Sequence, residues 1–232
     1  MINLVRITTF IVAIAMTLFS MFHIDANQEL ALAHRAYSKG DMDQAMRMAR
    51  RANRASSETN KKTEAFYLQA QAASKLNWTK EAKAYLDQLL LLDQEHTQAL
   101  LFRGELEYQL GEHQKALRDF DAGLPLASES MSSKTQAYFL TKRGLTLLAL
   151  NQIEKAQSDA LMALELATNL PEAHDLMSKV SEVKGDIKKA LDECEQAYQL
   201  SLEKDKRSFM TPEGRKLSDR LLNLKVKYLR SQ

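Results

Sequence analysis

The amino-acid sequence predicts an all-α protein built from repeated helix-turn-helix units. The chain has only 7 Gly and 3 Pro among 232 residues, too few for the many tight turns of a β-sandwich or β-barrel. A pattern of small residues also recurs along most of the chain. Hydrophobic residues make up 45% of the sequence, enough for a packed core, and charged residues make up 27%. These features favour a helical repeat protein over a β or a disordered one.

The first segment, residues 1–26, has the layout of a secretory signal peptide. Arg6 precedes an uncharged, mostly apolar run at residues 7–22, and Ala26 offers a small residue for cleavage. An uncleaved N-terminal membrane anchor is the alternative, although a spanning helix needs about 20 apolar residues. In either case we expect an exported protein, in the periplasm or anchored to the inner membrane.

The repeat is marked by three positions in each of five segments. An alanine recurs at spacings of 37, 34, 40 and 34 residues; a small residue stands twelve positions before it, and Gly or Asn stands five before it. Close crossing of two helices needs small side chains at the contact, and Gly or Asn tolerates the left-handed conformation at a helix end. The pattern therefore predicts two tightly packed helices joined by a short turn. The marked residues are Ala33, Gly40 and Ala45; Ala70, Asn77 and Ala82; Gly104, Gly111 and Ala116; Gly144, Asn151 and Ala156; and Ser178, Gly185 and Ala190.

With this period and pattern, the chain resembles the tetratricopeptide repeat family. The third segment is the best copy: Gly104, Tyr108, Gly111, Ala116 and Phe120 match the family's small, aromatic, turn, alanine and aromatic positions. The resemblance implies a right-handed α-solenoid of tetratricopeptide helix-turn-helix repeats. It predicts five repeats over residues 27–204, at about 26–60, 63–96, 97–130, 137–170 and 171–204.

Two insertions, near residues 56–62 and 127–135, break the strict period. Surface insertions cost little stability, so we expect them to form loops or to lengthen helices. The alternative is a loop beside the groove of the solenoid that contacts a partner.

The tail, residues 205–232, is predicted to be a basic C-terminal capping helix. From residue 204 onward it carries nine basic and three acidic residues, and Thr211 and Pro212 favour a helix start. An apolar stripe runs along it, formed by Leu217, Leu221, Leu224 and Tyr228. A solenoid needs such a cap over its last repeat. The alternative is a helix that contacts an anionic partner or a membrane surface.

The sequence offers no sign of catalysis, so we predict a protein that is not an enzyme and has no cofactor and no metal site. Its five histidines form neither an HxxxH nor an HExxH pair, and no nucleotide or nucleophile motif occurs. The single cysteine, Cys194, excludes an intramolecular disulfide, and we expect it to be buried. A net charge of +2 gives no chain-wide attraction for nucleic acid.

A binding surface is therefore the expected functional feature. In the tetratricopeptide repeat family, the first helices of successive units line a concave groove, and Tyr side chains there suit peptide recognition. The resemblance implies a scaffold that binds a protein or peptide segment in this groove and supports an envelope assembly. The alternative is a membrane-surface protein that uses an uncleaved N-terminal helix and the basic C-terminal helix. Candidate groove residues are His34, Tyr37, Tyr67, Gln71, Leu101, Glu105, Tyr108, Tyr138, Asp175 and Lys179.

Overall fold

The computed structural model describes residues 25–231. Residues 1–24, which include the apolar run of the predicted signal peptide or membrane anchor, and residue 232 lie outside the described part. The described residues form eleven α-helices and one 3₁₀ helix and contain no strand. They divide into two compact units, one ending at Asp93 and the other beginning at Gln94. The predicted all-α class is thus confirmed for this part of the chain.

Unit 1 consists of four helices arranged as two helix-turn-helix pairs. They are α1 (Ala26–Ser38), α2 (Met42–Ala55), α3 (Thr59–Lys75) and α4 (Thr79–Leu92). Helix α1 packs on α2, α3 packs on α4, and α2 also packs on α3.

Unit 2 contains three further helix-turn-helix pairs and a terminal helix. The pairs are α5 (Thr97–Gln109) with α6 (His113–Ser130), α7 (Ser133–Ala149) with α8 (Ile153–Leu166), and α9 (Pro171–Val183) with α10 (Ile187–Lys204). The 3₁₀ helix Ser208–Met210 leads to α11 (Pro212–Arg230). Consecutive helices pack on one another, which is the arrangement of a helical solenoid.

The tight turn inside each pair is made as the repeat pattern predicts. The turn residues have φ angles of 82° at Gly40, 61° at Asn77, 76° at Gly111, 58° at Asn151 and 81° at Gly185. This left-handed region strains residues that carry a Cβ, and Gly and Asn occupy it most readily. The Gly-or-Asn position of the sequence pattern is therefore a backbone requirement.

The alanine and the preceding small residue mark the places where the two helices of a pair touch. All five pattern alanines are fully buried. At Gly104 an added Cβ would lie 2.7 Å from Cε1 of Phe120, so α5 and α6 approach too closely there for any side chain. The predicted close crossing is confirmed at this position.

The two insertions lengthen helices. Residues 127–135 complete the last turn of α6, pass through Met131 and Ser132, and start α7, whose first turn Ser132 caps by accepting from the Thr135 amide. Residues 56–62 form a short link and the first turn of α3. The expectation of a loop or a longer helix holds at both insertions.

The terminal helix α11 packs on α10, the last helix of the preceding pair. Leu221 and Leu224 are buried against Ala190 and Cys194 of α10. The Cys194 side chain is fully buried, as expected, and burial raises the pKa of its thiol. Without α11 this apolar face of α10 would be open to water.

Candidate functional site

Three of the predicted groove residues meet at one cavity in unit 2. Tyr138 on α7 and Asp175 and Lys179 on α9 line a cavity of about 720 Å³. Helices α7 and α9 are the first helices of their pairs and contact each other, so their facing side chains come together. Leu145, two turns after Tyr138, adds apolar surface to the same wall.

The far wall of the cavity comes from α11 and the segment before it. Arg220 donates from Nη1 to Oδ1 of Asp175 at 2.6 Å and from Nη2 to Oγ of Ser178 at 2.9 Å. Lys179 forms an ion pair with the other oxygen of Asp175. The Asp175 carboxylate is thus paired with two cations, Lys179 on its own helix and Arg220 on α11. Leu217 supplies the apolar part of this wall.

Tyr138, on the wall of the cavity, forms a cluster with Glu105 and Lys142. Its hydroxyl donates to Oε1 of Glu105 at 2.8 Å, and Nζ of Lys142 lies 2.8 Å from the same oxygen. The Lys142 ammonium also sits 4.7 Å from the centre of the Tyr138 ring, in cation–π range. The cluster fixes the orientation of the Tyr138 ring at the cavity wall.

The pKa shifts of Tyr138 and Lys142 keep both side chains in their ordinary protonation states near neutral pH. Burial, helped by the charge of Glu105, raises the pKa of Tyr138 to about 12 despite the opposing charge of Lys142. Burial by itself would lower the pKa of Lys142, but the negative charge of Glu105 outweighs it and raises that pKa. Tyr138 therefore stays neutral and Lys142 stays charged. The cavity offers fixed charges, hydrogen bonds and apolar area, which are means of binding.

The other predicted groove residues of unit 2 do not line this cavity. Glu105 accepts a hydrogen bond from the Tyr138 hydroxyl. Leu101 and Tyr108 are half-buried and pack against the cluster around Ala116 and Phe120. The Tyr108 ring also lies 5.1 Å from that of His113.

The predicted residues of unit 1 are placed separately. His34 on α1 lies 2.7 Å from Oε1 of Glu64 on α3. Tyr37 packs against the apolar cluster that includes Leu30 and Leu68. Tyr67 and Gln71 are half-buried one turn apart on α3. The structure brings these residues onto two packed helices, α1 and α3.

Among the cavity residues that sequence reasoning missed are Lys142 and Arg220. Lys142 follows Tyr138 by four positions, a spacing that places both on one helix face, so this residue could have been found. Arg220 belongs to the tail, and its pairing with Asp175 depends on how α11 docks.

A repeated ion pair inside unit 2 was also missed. Arg103 donates from Nε and Nη2 to the two oxygens of Asp119 at 2.7 Å, and Arg143 binds Asp159 in the same way at 2.8 and 2.7 Å. Each pair joins the two helices of one helix-turn-helix unit. The 40-residue spacing between equivalent members is its signal in the sequence. The fork geometry is the one that Arg and carboxylate prefer.

Residues 25–231 contain neither a metal-binding cluster nor a membrane-spanning helix. No group of three or more His, Cys, Asp or Glu side chains there could hold a metal ion. Within the same residues, every helix is too short or too polar to span a bilayer.

These features define a class of protein, an all-α helix-turn-helix solenoid. The tetratricopeptide repeat family model matches residues 63–96. This match and the structures below support a tetratricopeptide repeat protein, and members of that family typically act as non-catalytic scaffolds. No curated protein sequence matches the chain.

Solved structures with the same fold have low sequence identity to this chain. MamA (residues 41 to the end) from Desulfovibrio magneticus RS-1 is 20% identical, with a TM-score of 0.66 over 78% of this chain and 97% of its own. YrrB, described as a TPR protein with an unusual peptide-binding site, is 17% identical, with a TM-score of 0.63 over 80% and 91%. TTC0263, a thermophilic TPR protein from Thermus thermophilus, is 20% identical, with a TM-score of 0.58 over 87% and 99%. At these identities the likeness shows the fold.

Proposed function

We propose that this protein is an exported, non-enzymatic scaffold that binds a protein or peptide segment in the cavity of unit 2. The single observation behind the proposal is the convergence of Tyr138, Asp175 and Lys179 on one cavity of about 720 Å³. Ligand pockets in proteins commonly measure about 300–1,000 Å³. The scaffold would hold its partner for an assembly in the cell envelope.

The chemistry of the cavity walls supports a peptide as ligand. Leu145 and Leu217 provide apolar area, and the Tyr138 ring adds an oriented aromatic surface. Glu172, at the start of α9, also lines the cavity and adds a second acidic side chain beside Asp175.

Export and the envelope role depend on the sequence of residues 1–26, which has the layout of a signal peptide. The peptide-binding site that the description of YrrB mentions belongs to YrrB. It supports the proposal only as an example of what this fold can do.

Site-specific photocrosslinking in cells tests the proposal. A photoreactive amino acid is placed at Lys179, which lines the cavity, and in a matched strain at Lys188, which is exposed on α10. We expect one dominant exported protein to crosslink from position 179 and not from position 188. The Tyr138→Ala variant should weaken that crosslink while the circular dichroism spectrum stays native.

Two results would contradict the proposal. Equal labelling from both positions would mean that the cavity has no specific ligand. An undiminished crosslink from position 179 in folded Tyr138→Ala protein would place the contact outside the cavity.

A membrane-surface protein is the second candidate, and an exposed stripe on α11 favours it. Leu222, Val226 and Leu229 lie on one face of this helix and are 64%, 40% and 73% exposed.

The start of α1 favours an uncleaved N-terminal segment. Asp25 and Ala26 belong to unit 1: Ala26 is buried, and Asp25 caps α1 by accepting a hydrogen bond from the Asn27 amide at 2.9 Å. Cleavage after Ala26 would remove this cap, so these contacts favour an uncleaved segment.

Carbonate extraction of membranes separates the two candidates. Retention of the full chain in the membrane fraction supports the anchored form. Release into the supernatant excludes an uncleaved N-terminal anchor.

A further inference from the structure

Helix α2 of unit 1 carries four arginines on its solvent face, here called the arginine stripe: Arg47, Arg50, Arg51 and Arg54. Their spacing of three, four and seven residues aligns them along two turns. All four are exposed, on the face opposite the buried residues of the helix. Those buried residues are Ala45, Met46, Ala49 and Ala52.

The stripe is poorly neutralised. Arg51 pairs with Glu29 of α1 at 2.9 Å. Among the described residues, Arg47, Arg50 and Arg54 make no ion pair; Arg50 contacts only the Tyr85 hydroxyl, at 3.3 Å. Asp43, one turn before Arg47, is the sole acidic residue of α2. Like charges at these spacings repel one another, so an anionic partner would reduce the repulsion among the arginines.

We infer that the arginine stripe docks unit 1 on an anionic phospholipid surface. The buried centre of a stable protein interface is largely apolar, whereas the stripe consists of four charged side chains. Nucleic-acid binding is disfavoured because the chain has a net charge of only +2 and α2 has no aromatic side chain to stack on bases. A row of cations is sufficient for attraction to anionic headgroups.

The sequence before α2 also favours a bilayer. The apolar run at residues 7–22 ends twenty residues before Met42. Most of that interval is α1, whose 13 residues span about 20 Å. If the run stays in the membrane, α2 remains within reach of the headgroups. The inference does not depend on the peptide cavity, which lies in unit 2.

Vesicle co-sedimentation of the full chain tests the inference. One set of vesicles contains equimolar phosphatidylglycerol and phosphatidylcholine, and the other contains phosphatidylcholine alone. Binding to the neutral set measures what the apolar run contributes, and the excess binding to the anionic set measures attraction to charge. We expect that excess to fall steeply as salt is raised.

Three variants make the test specific. Each cation near an anionic surface strengthens partitioning roughly fivefold, so the triple variant Arg47→Gln, Arg50→Gln, Arg54→Gln should lose on the order of 100-fold of the excess. The same three positions changed to Lys should retain most of it, because the surface responds to charge. The control Lys155→Gln, Lys188→Gln, Lys189→Gln removes three exposed cations of unit 2 and should leave most of the excess.

Four outcomes would overturn the inference. They are equal binding to both vesicle sets, a glutamine variant that loses no more than the control, a lysine variant that loses as much as the glutamine variant, and stripe-dependent displacement from vesicles by duplex DNA. The third points to paired recognition of a carboxylate by Arg forks, and the fourth points to a nucleic-acid ligand. Circular dichroism of each variant verifies that it is folded.

Discussion

Arg220 of the terminal helix donates to Asp175 of α9 across 2.6 Å, and this contact joins the cap to the wall of the cavity. The same guanidinium reaches Oγ of Ser178 at 2.9 Å and Oε2 of Glu182 at 3.3 Å. The Ser178 hydroxyl in turn donates to the backbone oxygen of Ala190 on α10. One side chain of α11 therefore connects to both helices of the preceding pair.

Replacing Arg220 should loosen the cap. We expect Arg220→Ala to lower the free energy of unfolding by about 1–3 kcal/mol, because hydrogen bonds to charged groups are lost and Asp175 keeps only Lys179. Urea denaturation measures the change. The control Arg215→Ala removes an exposed arginine of the same helix and should stay within about 0.5 kcal/mol of the wild type. Equal losses in both variants would show that the Arg220 contacts do not hold the cap.

The two carboxylates that bind Arg143 should differ greatly in their contribution to stability. Asp159 is 2% exposed and takes two hydrogen bonds, whereas the Asp121 side chain is 54% exposed and takes one at 3.0 Å. Removing one partner of a buried pair costs about 3–5 kcal/mol, and exposed pairs contribute about 0–1 kcal/mol. Thermal and urea unfolding of Asp159→Ala and Asp121→Ala measure both effects. Because Asp121 remains near Arg143, we expect the lower end of the first range; similar values for the two variants would contradict the prediction.

Adding a methyl group at Gly104 should force α5 and α6 apart. The new Cβ would meet the Phe120 ring at 2.7 Å, and overpacking of this kind costs about 1–3 kcal/mol. The gain of up to about 1 kcal/mol in helix propensity offsets part of it. A double-mutant cycle with Phe120→Leu isolates the clash. We expect Gly104→Ala to cost less in the Phe120→Leu background; additive costs would mean that the ring is not what the methyl group meets.

His174 should make stability depend on pH near neutrality. Its Nδ1 lies 2.7 Å from Oε2 of Glu193 and its Nε2 lies 2.9 Å from the carbonyl oxygen of Thr168. When Glu193 is ionised, both partners of His174 are hydrogen-bond acceptors, and the charged imidazolium can donate to both because each ring nitrogen carries a proton. The hydrogen bond to Glu193 is the main reason why the pKa of His174 is raised above 6.5. Because the pKa of His174 is higher in the folded state than in the unfolded state, its contribution to stability is fully present below pH 6.5. This contribution is lost as the pH rises through the folded-state pKa.

The comparison of the wild type with His174→Gln tests that sign. The difference in unfolding free energy should shrink as the pH rises from about 6 through the folded-state pKa of His174. In Glu193→Gln protein, an NMR titration should find the pKa of His174 lower than in the wild type. A difference that grows with pH, or an unchanged titration in the second variant, would refute the assignment.

Local features of the fold could be predicted from the sequence because they depend on the backbone conformation and side-chain size of a few residues. Gly111 and Asn151 stand where φ is positive, and Ala116 and Ala156 stand where two helices touch. The start of α11 could also be predicted, because Thr211 is its N-cap and Pro212 is its first residue. In the candidate site, Tyr138, Asp175 and Lys179 could be predicted because a regular repeat places equivalent positions on one face.

The remaining features depend on distance in space between residues far apart in the chain. The sequence by itself determined the repeated helix pairs, their turns, their contact points and the amphipathic cap, since each follows from the chemistry of neighbouring residues. Only the tertiary structure decided that Arg220 meets Asp175, 45 positions earlier, and that Lys142 and Glu105 fix Tyr138. The physical reason is that ion pairs and cavity walls form wherever packed helices bring side chains together, and helix docking is set by the whole apolar interface.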